Sequence, residues 1–122
     1  MSRTILVVED DSDMRALIKR TLLNAGYAVN AVGNGLEAAA SCLTSTPDMI
    51  ISDVHMPRMN GFEMIQILKN EPSMREIPVI FLTGDSTGHE RGNELGAVAY
   101  LTKPLRMDDL VSTMTKHLPA KG

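Results

Sequence analysis

Five short apolar runs alternate with segments of helical periodicity along the whole chain, and this alternation restricts the fold more than any other feature. The runs cover residues 5–8, 27–32, 49–53, 79–82 and 98–101. The first contains no polar residue, as expected for a strand that is covered on both faces. Helical connections between successive strands require those strands to be parallel. The pattern therefore predicts an α/β fold in which a five-stranded parallel sheet is doubly wound by five helices.

The predicted helices differ in their capping signals and in strength. Either Asp11 or Ser12 can cap the first helix. The second helix, residues 36–43, has its apolar residues on one face; they are Leu36, Ala39, Ala40 and Leu43. The helix at 86–95 contains two glycines and few apolar residues. Because each glycine costs about 1 kcal/mol relative to alanine in a helix interior, we expect this helix to be the least stable.

The chain of 122 residues has no repeat, low-complexity segment or linker, so residues 1–122 are interpreted as one domain without an effector domain. Its one cysteine, Cys42, cannot form an internal disulfide, which is typical of a reducing compartment. No apolar stretch approaches the about 20 residues of a membrane span, and the first strand begins too early for a signal peptide. We expect a cytoplasmic protein. Its net charge of −3 argues weakly against binding to nucleic acids.

Polar residues follow four of the five runs, at the predicted carboxyl ends of the strands. They are Glu9, Asp10 and Asp11 after the first run, Asp53 at the end of the third, Thr83 after the fourth and Lys103 shortly after the fifth. Because parallel strands end at the same edge of a sheet, these side chains should meet where open α/β sheets bind their ligands. Together they can hold a divalent metal ion and a phosphoryl group.

The acidic residues predict a magnesium site. Carboxylates that are buried together raise one another's pKa, and a divalent cation relieves that repulsion. Oxygen ligands in an incomplete shell favour Mg²⁺, which keeps some of its water and often binds beside a phosphate. Asp10 and Asp53 are the expected direct ligands, and Glu9 or Asp11 would reach the ion through water. Asp11 has an alternative role as the cap of the first helix.

Asp53 can also be a nucleophile, because a carboxylate that attacks phosphorus forms an aspartyl phosphate. Such a transfer depends mainly on positioning and on neutralisation of charge. Lys103 supplies a positive charge, and the Thr83 hydroxyl can donate to a phosphoryl oxygen once that oxygen is present. Taken alone, each residue has an ordinary structural explanation. Their shared position at the strand ends favours the functional one.

These residues resemble the receiver domain of bacterial two-component response regulators. The matching motifs are Ile-Leu-Val-Val-Glu-Asp-Asp at 5–11, Asp-Val-His-Met-Pro-Arg-Met-Asn-Gly at 53–61, Phe-Leu-Thr-Gly at 81–84, Gly-Ala at 96–97 and Tyr-Leu-Thr-Lys-Pro at 100–104. They occur in this order over nearly the whole chain. The resemblance implies a flavodoxin-like (CheY-like) sheet with the strand order 2-1-3-4-5 and five helices.

The resemblance also implies a role for each site residue. Asp53 would accept the phosphoryl group, and Lys103 would contact it. Asp10 would bind Mg²⁺ directly, with Glu9 as its acidic companion, and the backbone carbonyl of His55 would complete the metal shell. The protein would be a signalling phosphoacceptor with weak self-phosphorylation and autodephosphorylation, and not an enzyme that turns over a separate substrate.

A conformational switch follows from the same resemblance. Phosphorylated Asp53 would give Thr83 and Lys103 partners that exist in that state only, so phosphorylation would stabilise one of two pre-existing arrangements. Thr83 would be the switch hydroxyl, and Tyr100 would turn inward when Thr83 moves. The peptide between Lys103 and Pro104 would be cis. The response surface would be the fourth helix, the fifth strand and the fifth helix.

The expected partners are a histidine kinase or histidine phosphotransfer protein and a downstream target protein, with no DNA and no membrane. We expect a stand-alone regulator that is monomeric and can dimerise on phosphorylation. His55 and Asp85, each two residues beyond a site residue, should lie at the rim and tune the lifetime of the phosphoryl group. The small Gly84 would leave access for phosphodonors.

Three other interpretations are less consistent with the sequence. A Mg²⁺-dependent phosphohydrolase with an aspartate nucleophile usually needs a second acid two residues later, where this chain has His55. A receiver that binds partners without phosphorylation need not keep every pocket residue, yet all are present. A flavin- or nucleotide-binding protein of this topology would carry a glycine-rich phosphate loop after the first strand, and residues 9–15 contain no glycine.

Overall fold

The computed structural model describes residues 3–84 and 89–120. Within these ranges, five parallel strands form one sheet in the order β2-β1-β3-β4-β5. The strands are β1 (Thr4–Val8), β2 (Ala28–Val32), β3 (Met49–Asp53), β4 (Val79–Thr83) and β5 (Ala97–Thr102). The predicted parallel sheet and the order implied by the resemblance are both confirmed.

In the described part of the chain, five α-helices connect or follow the strands. They are α1 (Ser12–Asn24), α2 (Gly35–Thr44), α3 (Gly61–Leu68), α4 (His89–Glu94) and α5 (Met107–His117), and a 3₁₀ turn over Pro72–Met74 precedes β4. The predicted helix at 86–95 corresponds to α4, but residues 85–88, including the rim residue Asp85, lie outside the described part of the chain. No helix among the described residues is long and apolar enough to cross a membrane.

The sheet separates two hydrophobic cores, because alternate residues of a strand point to opposite faces. Ile5 and Val7 of β1 pack in a core with residues of α1 and α5. Leu6 and Val8 pack on the other face with residues of α2 and α3. All four side chains are buried. Helices on both faces therefore leave the carboxyl edge of the sheet as the place where polar side chains can gather.

Three of the four residues in the apolar stripe of α2 are exposed, namely Leu36, Ala40 and Leu43, although an apolar stripe is ordinarily the buried face of a surface helix. Leu36 and Leu43 are 84% and 89% exposed, whereas Ala38 is fully buried. The partly buried Ala39 and Cys42 pack against the same core as Ala38. The small side chains bring the helix backbone close to the sheet, and this packing turns the two leucines outward.

Candidate functional site

Three carboxylates meet at the carboxyl edge of the sheet. Glu9 and Asp10 directly follow β1, and Asp53 ends the neighbouring strand β3. One carboxylate oxygen from each residue lies within 4.8 Å of the others. Glu9 and Asp53 are buried, whereas Asp10 is exposed. The structure thus brings together three of the residues that the sequence predicts to form a metal site.

Lys103 joins two of these carboxylates. Its Nζ lies 3.0 Å from Oδ2 of Asp53 and 3.1 Å from Oε1 of Glu9. Its backbone N–H donates to the carbonyl of Thr83 at 2.8 Å, which aligns the end of β5 with the end of β4. The peptide between Lys103 and Pro104 is cis, as the resemblance implies. The lysine therefore lies at the predicted edge, in contact with the acids.

Glu9 is an acid that the fold removes completely from solvent. Its Oε2 accepts from the backbone N–H of Asp11 at 3.2 Å, and its carbonyl accepts from Nη1 of Arg15 at 2.9 Å. Burial raises the pKa of Glu9 to about 7, and the negative charge of Asp53 adds to this effect against the hydrogen bonds from Asp11 and Lys103. The pKa of Glu9 thus stays above its ordinary value in spite of Lys103, chiefly because the fold removes the carboxylate from water.

The pKa of Lys103 responds to the same surroundings in the opposite sense. Burial would lower it, but the hydrogen bonds and charges of Asp53 and Glu9 outweigh burial, so the pKa lies above its ordinary value. Lys103 is therefore a permanent positive charge at neutral pH. An ammonium fixed between two carboxylates is suited to contact added negative charge at the same edge.

Asp11 serves as the cap of α1. Its Oδ1 accepts from the backbone N–H groups of Asp13 at 2.9 Å and Met14 at 3.0 Å. These bonds lower the pKa of Asp11. Asp11 also does not belong to the group of carboxylates within ligating reach of one another. Of the two roles that the sequence leaves open for this residue, the structure supports the cap.

Two small residues that sequence analysis did not single out support the backbone of Asp53. A Cβ on Gly61, the first residue of α3, would lie 2.2 Å from the carbonyl oxygen of Asp53. The Gly61 N–H donates to the Val54 carbonyl at 2.8 Å, and Oγ of Ser52 donates to the Asp53 carbonyl at 3.0 Å. The Asn60-Gly61 pair looks like a turn signal in the sequence, whereas its structural importance is this close approach.

The predicted switch residues occupy the β4–β5 side of the site. Thr83 is 1% exposed at the end of β4. Tyr100 on β5 donates its hydroxyl to Oδ1 of Asn93 in α4 at 3.1 Å, and its ring stacks on Phe81 with centroids 6.0 Å apart. Tyr100 therefore connects β5 physically to α4. His55, by contrast, is exposed in the loop after β3.

Fold and site together define a class of protein. A doubly wound parallel sheet with acids, a threonine and a lysine at its carboxyl edge is suited to bind a divalent metal ion and a phosphoryl group. The family model of the response regulator receiver domain matches residues 5–115. The chain belongs to this family, whose members are signalling phosphoacceptors that interact with histidine kinases or phosphotransfer proteins and with downstream targets.

Individual relatives agree with the family. A probable transcriptional regulator, ycf29 of Pyropia yezoensis, is 37% identical over 114 residues, which are 92% of this chain and 51% of that protein. The chain thus spans about half the length of the curated relatives that it matches first. The chemotaxis response regulator CheY4 of Vibrio cholerae is 32% identical with a TM-score of 0.90, over 97% of this chain and all of that one.

A third relative bears on the acidic cluster. The receiver domain of a sensor histidine kinase from Pseudomonas aeruginosa is 26% identical with a TM-score of 0.83, over 95% of this chain and 97% of that one. That structure has a magnesium ion coordinated in its active-site cleft. Receiver domains bind Mg²⁺ at an acidic cluster, and Glu9, Asp10 and Asp53 form such a cluster here.

Proposed function

We propose that Asp53 accepts a phosphoryl group from the phosphohistidine of a histidine kinase or phosphotransfer protein. The observation that carries this proposal is the 3.0 Å contact between Lys103 Nζ and Asp53 Oδ2 beside two further carboxylates. A carboxylate oxygen attacks phosphorus, and the P–N bond of the donor breaks. The imidazole nitrogen keeps the electron pair of that bond and takes up a proton from solvent, and an aspartyl phosphate results.

The acidic cluster fits a magnesium ion. Its three carboxylates offer hard oxygen ligands within 4.8 Å of one another. Burial raises the pKa of Glu9 and the charge of Asp53 adds to the effect, and a cation beside the two carboxylates would favour their ionised forms. Asp10, Asp53 and the backbone carbonyl of His55 would hold the ion, with Glu9 as the acidic companion. When bound, Mg²⁺ supplies neutralisation of the carboxylates and of the phosphoryl oxygens.

Lys103 and Thr83 complete the site. Lys103 keeps its positive charge and faces Asp53, so it neutralises charge on the incoming phosphoryl group. Thr83 is buried at the end of β4, next to β3 in the sheet. Its hydroxyl donates to a phosphoryl oxygen in the phosphorylated state. His55, which is exposed, and Asp85, two residues after Thr83 in the chain, tune the lifetime of the aspartyl phosphate. Any turnover is limited to self-phosphorylation and autodephosphorylation.

The output is a change in protein–protein contacts at α4, β5 and α5. Movement of Thr83 toward the phosphoryl group frees space into which Tyr100 turns. The hydrogen bond between Tyr100 and Asn93 supports this coupling of phosphorylation to the response surface. Loss of that bond when Tyr100 turns would change the contact between β5 and α4. The target is a protein and not DNA, and copies of the regulator can associate through this particular surface only when Asp53 is phosphorylated.

Intact mass spectrometry tests the proposal. The chain is incubated with phosphoramidate and Mg²⁺ beside Asp53→Asn and beside Asp109→Asn, a change at an exposed aspartate of α5. We expect an added phosphate, about 80 Da from its chemistry, in the parent chain and in Asp109→Asn only. The adduct should require Mg²⁺ and be lost in alkali. Equal labelling of Asp53→Asn, or no labelling of a parent chain that binds Mg²⁺, would contradict the proposal.

A further inference from the structure

The outward face of α2 carries two leucines with almost no cover. Leu36 and Leu43 are 84% and 89% exposed, more than any other large hydrophobic residue among those described. They are seven residues apart, so two helical turns place them on the same side of the helix. Ala40, between them, is exposed as well. A surface helix that exposes most of its apolar stripe to solvent is unusual, and an exposed apolar patch of this kind indicates an interaction site.

An apolar hollow adjoins this stripe. It has a volume of about 230 Å³ and lies between α2 and α3. Its lining residues are Gly35, Leu36, Ala39, Met59, Met64, Ile67 and Leu68. Ile67 and Met59 are themselves 52% and 36% exposed. The α2–α3 patch, defined here as Leu36, Ala40, Leu43, Met59 and Ile67, thus combines a projecting leucine at one end with a hollow at the other.

The charge pattern of α2 also suits an interface. Glu37 is the only charged residue between Gly35 and Thr44, in a chain with 22% charged residues. Its Oε1 accepts from the Gly33 N–H at 2.7 Å, so it is engaged at the start of its own helix. Depletion of charged residues is the compositional sign of an interface core. Two α2 helices can therefore approach each other with little repulsion between like charges.

We infer that the α2–α3 patch binds the same patch of a second copy, with the two α2 helices antiparallel. In this arrangement Leu43 of each copy lies beside Leu36 of its partner, at the hollow that Leu36 lines, and the small Ala40 residues near the axis allow close approach. Each copy contributes one projection and one hollow, so the contact is isologous and closes as a dimer.

This dimer is separate from the proposed phosphorylation switch. In the strand order, α2 connects β2 to β3, whereas the proposed response surface contains the opposite edge strand β5. At its other end the patch adjoins the acidic cluster, since Leu36 and Met59 line a cavity together with Asp10. Because the response surface takes no part in the contact, we expect the dimer with or without phosphate on Asp53. The exposed apolar area of the patch is on the order of several hundred Å² for each copy, below the about 800 Å² of a standard interface. We expect dissociation in the micromolar range.

Sedimentation velocity over a concentration series from about 1 to about 500 µM tests the inference on the whole chain. We expect a dimer that Leu43→Glu abolishes, with an unchanged circular dichroism spectrum. Leu23→Glu, at a 47% exposed leucine of α1, is the matched control. Val98→Glu, at a 39% exposed position of β5, tests the response surface. Leu23→Glu and Val98→Glu should both leave the dimer intact. Beryllofluoride with Mg²⁺, used as a mimic of the phosphoryl group on Asp53, should not change the dissociation constant of the dimer.

Three results would overturn the inference: a parent chain that stays monomeric throughout, a dimer that Leu43→Glu leaves intact, or a dimer that forms only with beryllofluoride. The variant Ala40→Cys, made together with Cys42→Ser, tests the antiparallel register of the two α2 helices. Mild oxidation should link two copies through residue 40, whereas Leu23→Cys in the same background should stay unlinked. Failure of the Ala40→Cys pair to link, in a chain that dimerises, would exclude the antiparallel α2 contact.

Discussion

The ammonium of Lys103 lies 3.0 Å from Oδ2 of Asp53, and their positions in the chain are fifty residues apart. Two different strands must therefore end at the same level for the contact to form. We expect Lys103→Gln to slow phosphorylation by phosphoramidate by about 10- to 100-fold, because the variant loses a charge that stabilises the developing phosphoryl charge. Intact mass measured over time gives the rate.

The affinity for Mg²⁺ shows whether Lys103→Gln slows phosphorylation through the lost charge or by disrupting the whole site. Lys103 competes with any cation for Asp53 and Glu9, so calorimetry should find Mg²⁺ binding to Lys103→Gln that is as tight as in the parent chain or tighter. Lys116→Gln, at an exposed position of α5, is the matched control. A rate for Lys103→Gln equal to that of Lys116→Gln would remove the lysine from the mechanism.

The buried Glu9 predicts that the metal-free protein loses stability as the pH rises. Its pKa is raised from an ordinary 4.5 to about 7 in the fold, so between these values the folded state binds more protons than the unfolded state. Stability is then highest below pH 4.5 with respect to this group and falls through pH 7, by on the order of 1–3 kcal/mol. The raised pKa of Lys103 acts only above its ordinary 10.5, outside this range.

Urea unfolding in EDTA at pH 5, 6, 7 and 8 measures the effect. Glu9→Gln removes the titrating group, so the parent chain should lose stability relative to the variant as the pH rises. Added Mg²⁺ should restore the parent chain most at pH 8, where the acid is ionised. Parallel stability curves for the two proteins in EDTA would mean that Glu9 titrates at its ordinary pKa.

The apolar runs and the crossovers are enough to predict a parallel, doubly wound sheet, whereas the order of its strands is implied by the resemblance to receiver domains. The sequence also predicts that Glu9, Asp53 and Lys103 meet, since the carboxyl ends of parallel strands share an edge. The packed face of α2 could not be predicted in this way. Apolar spacing identifies a stripe, but the small Ala38 and the neighbouring Cys42 determine which face approaches the sheet.

The close approach of Gly61 to the backbone of Asp53 could not be predicted from the sequence either. Asn60 and Gly61 look like an ordinary turn, and Asn60 does cap α3. The distance between Gly61 and the Asp53 carbonyl depends on how α3 lies against β3, which is a tertiary property. Spacing along the chain reports which residues can share an edge or a face, whereas the clearance between two backbones follows only from packing.

Gly61→Ala should therefore damage the site from the backbone side. The added Cβ would lie 2.2 Å from the carbonyl oxygen of Asp53, and a backbone atom cannot move away as a flexible side chain can. We expect destabilisation of about 1–3 kcal/mol and slower phosphorylation, because Asp53 is displaced. Gly84→Ala is the control for stability, since a Cβ there has no atom within 4 Å. Equal unfolding free energies for the two variants would contradict this role of Gly61.

The last prediction concerns the contact between Tyr100 and α4. The hydroxyl of Tyr100 donates to Asn93, and its ring occupies space that a side chain at Gly92 would need, since a Cβ there would lie 2.2 Å from the hydroxyl oxygen. We expect Asn93→Ala to weaken this position of the ring and Gly92→Ala to prevent it. Both variants should therefore move toward the switched state without phosphate.

Fluorotyrosine labelling makes the prediction measurable, because the chain has only two tyrosines, Tyr27 and Tyr100. Tyr27 is buried, with its hydroxyl on the Leu118 carbonyl, far along the chain from the switch. In ¹⁹F spectra, both variants should shift the Tyr100 resonance in the direction that beryllofluoride and Mg²⁺ shift it in the parent chain, with Tyr27 unchanged. A Tyr100 resonance that moves in the opposite direction would mean that α4 does not hold the ring in its unphosphorylated position.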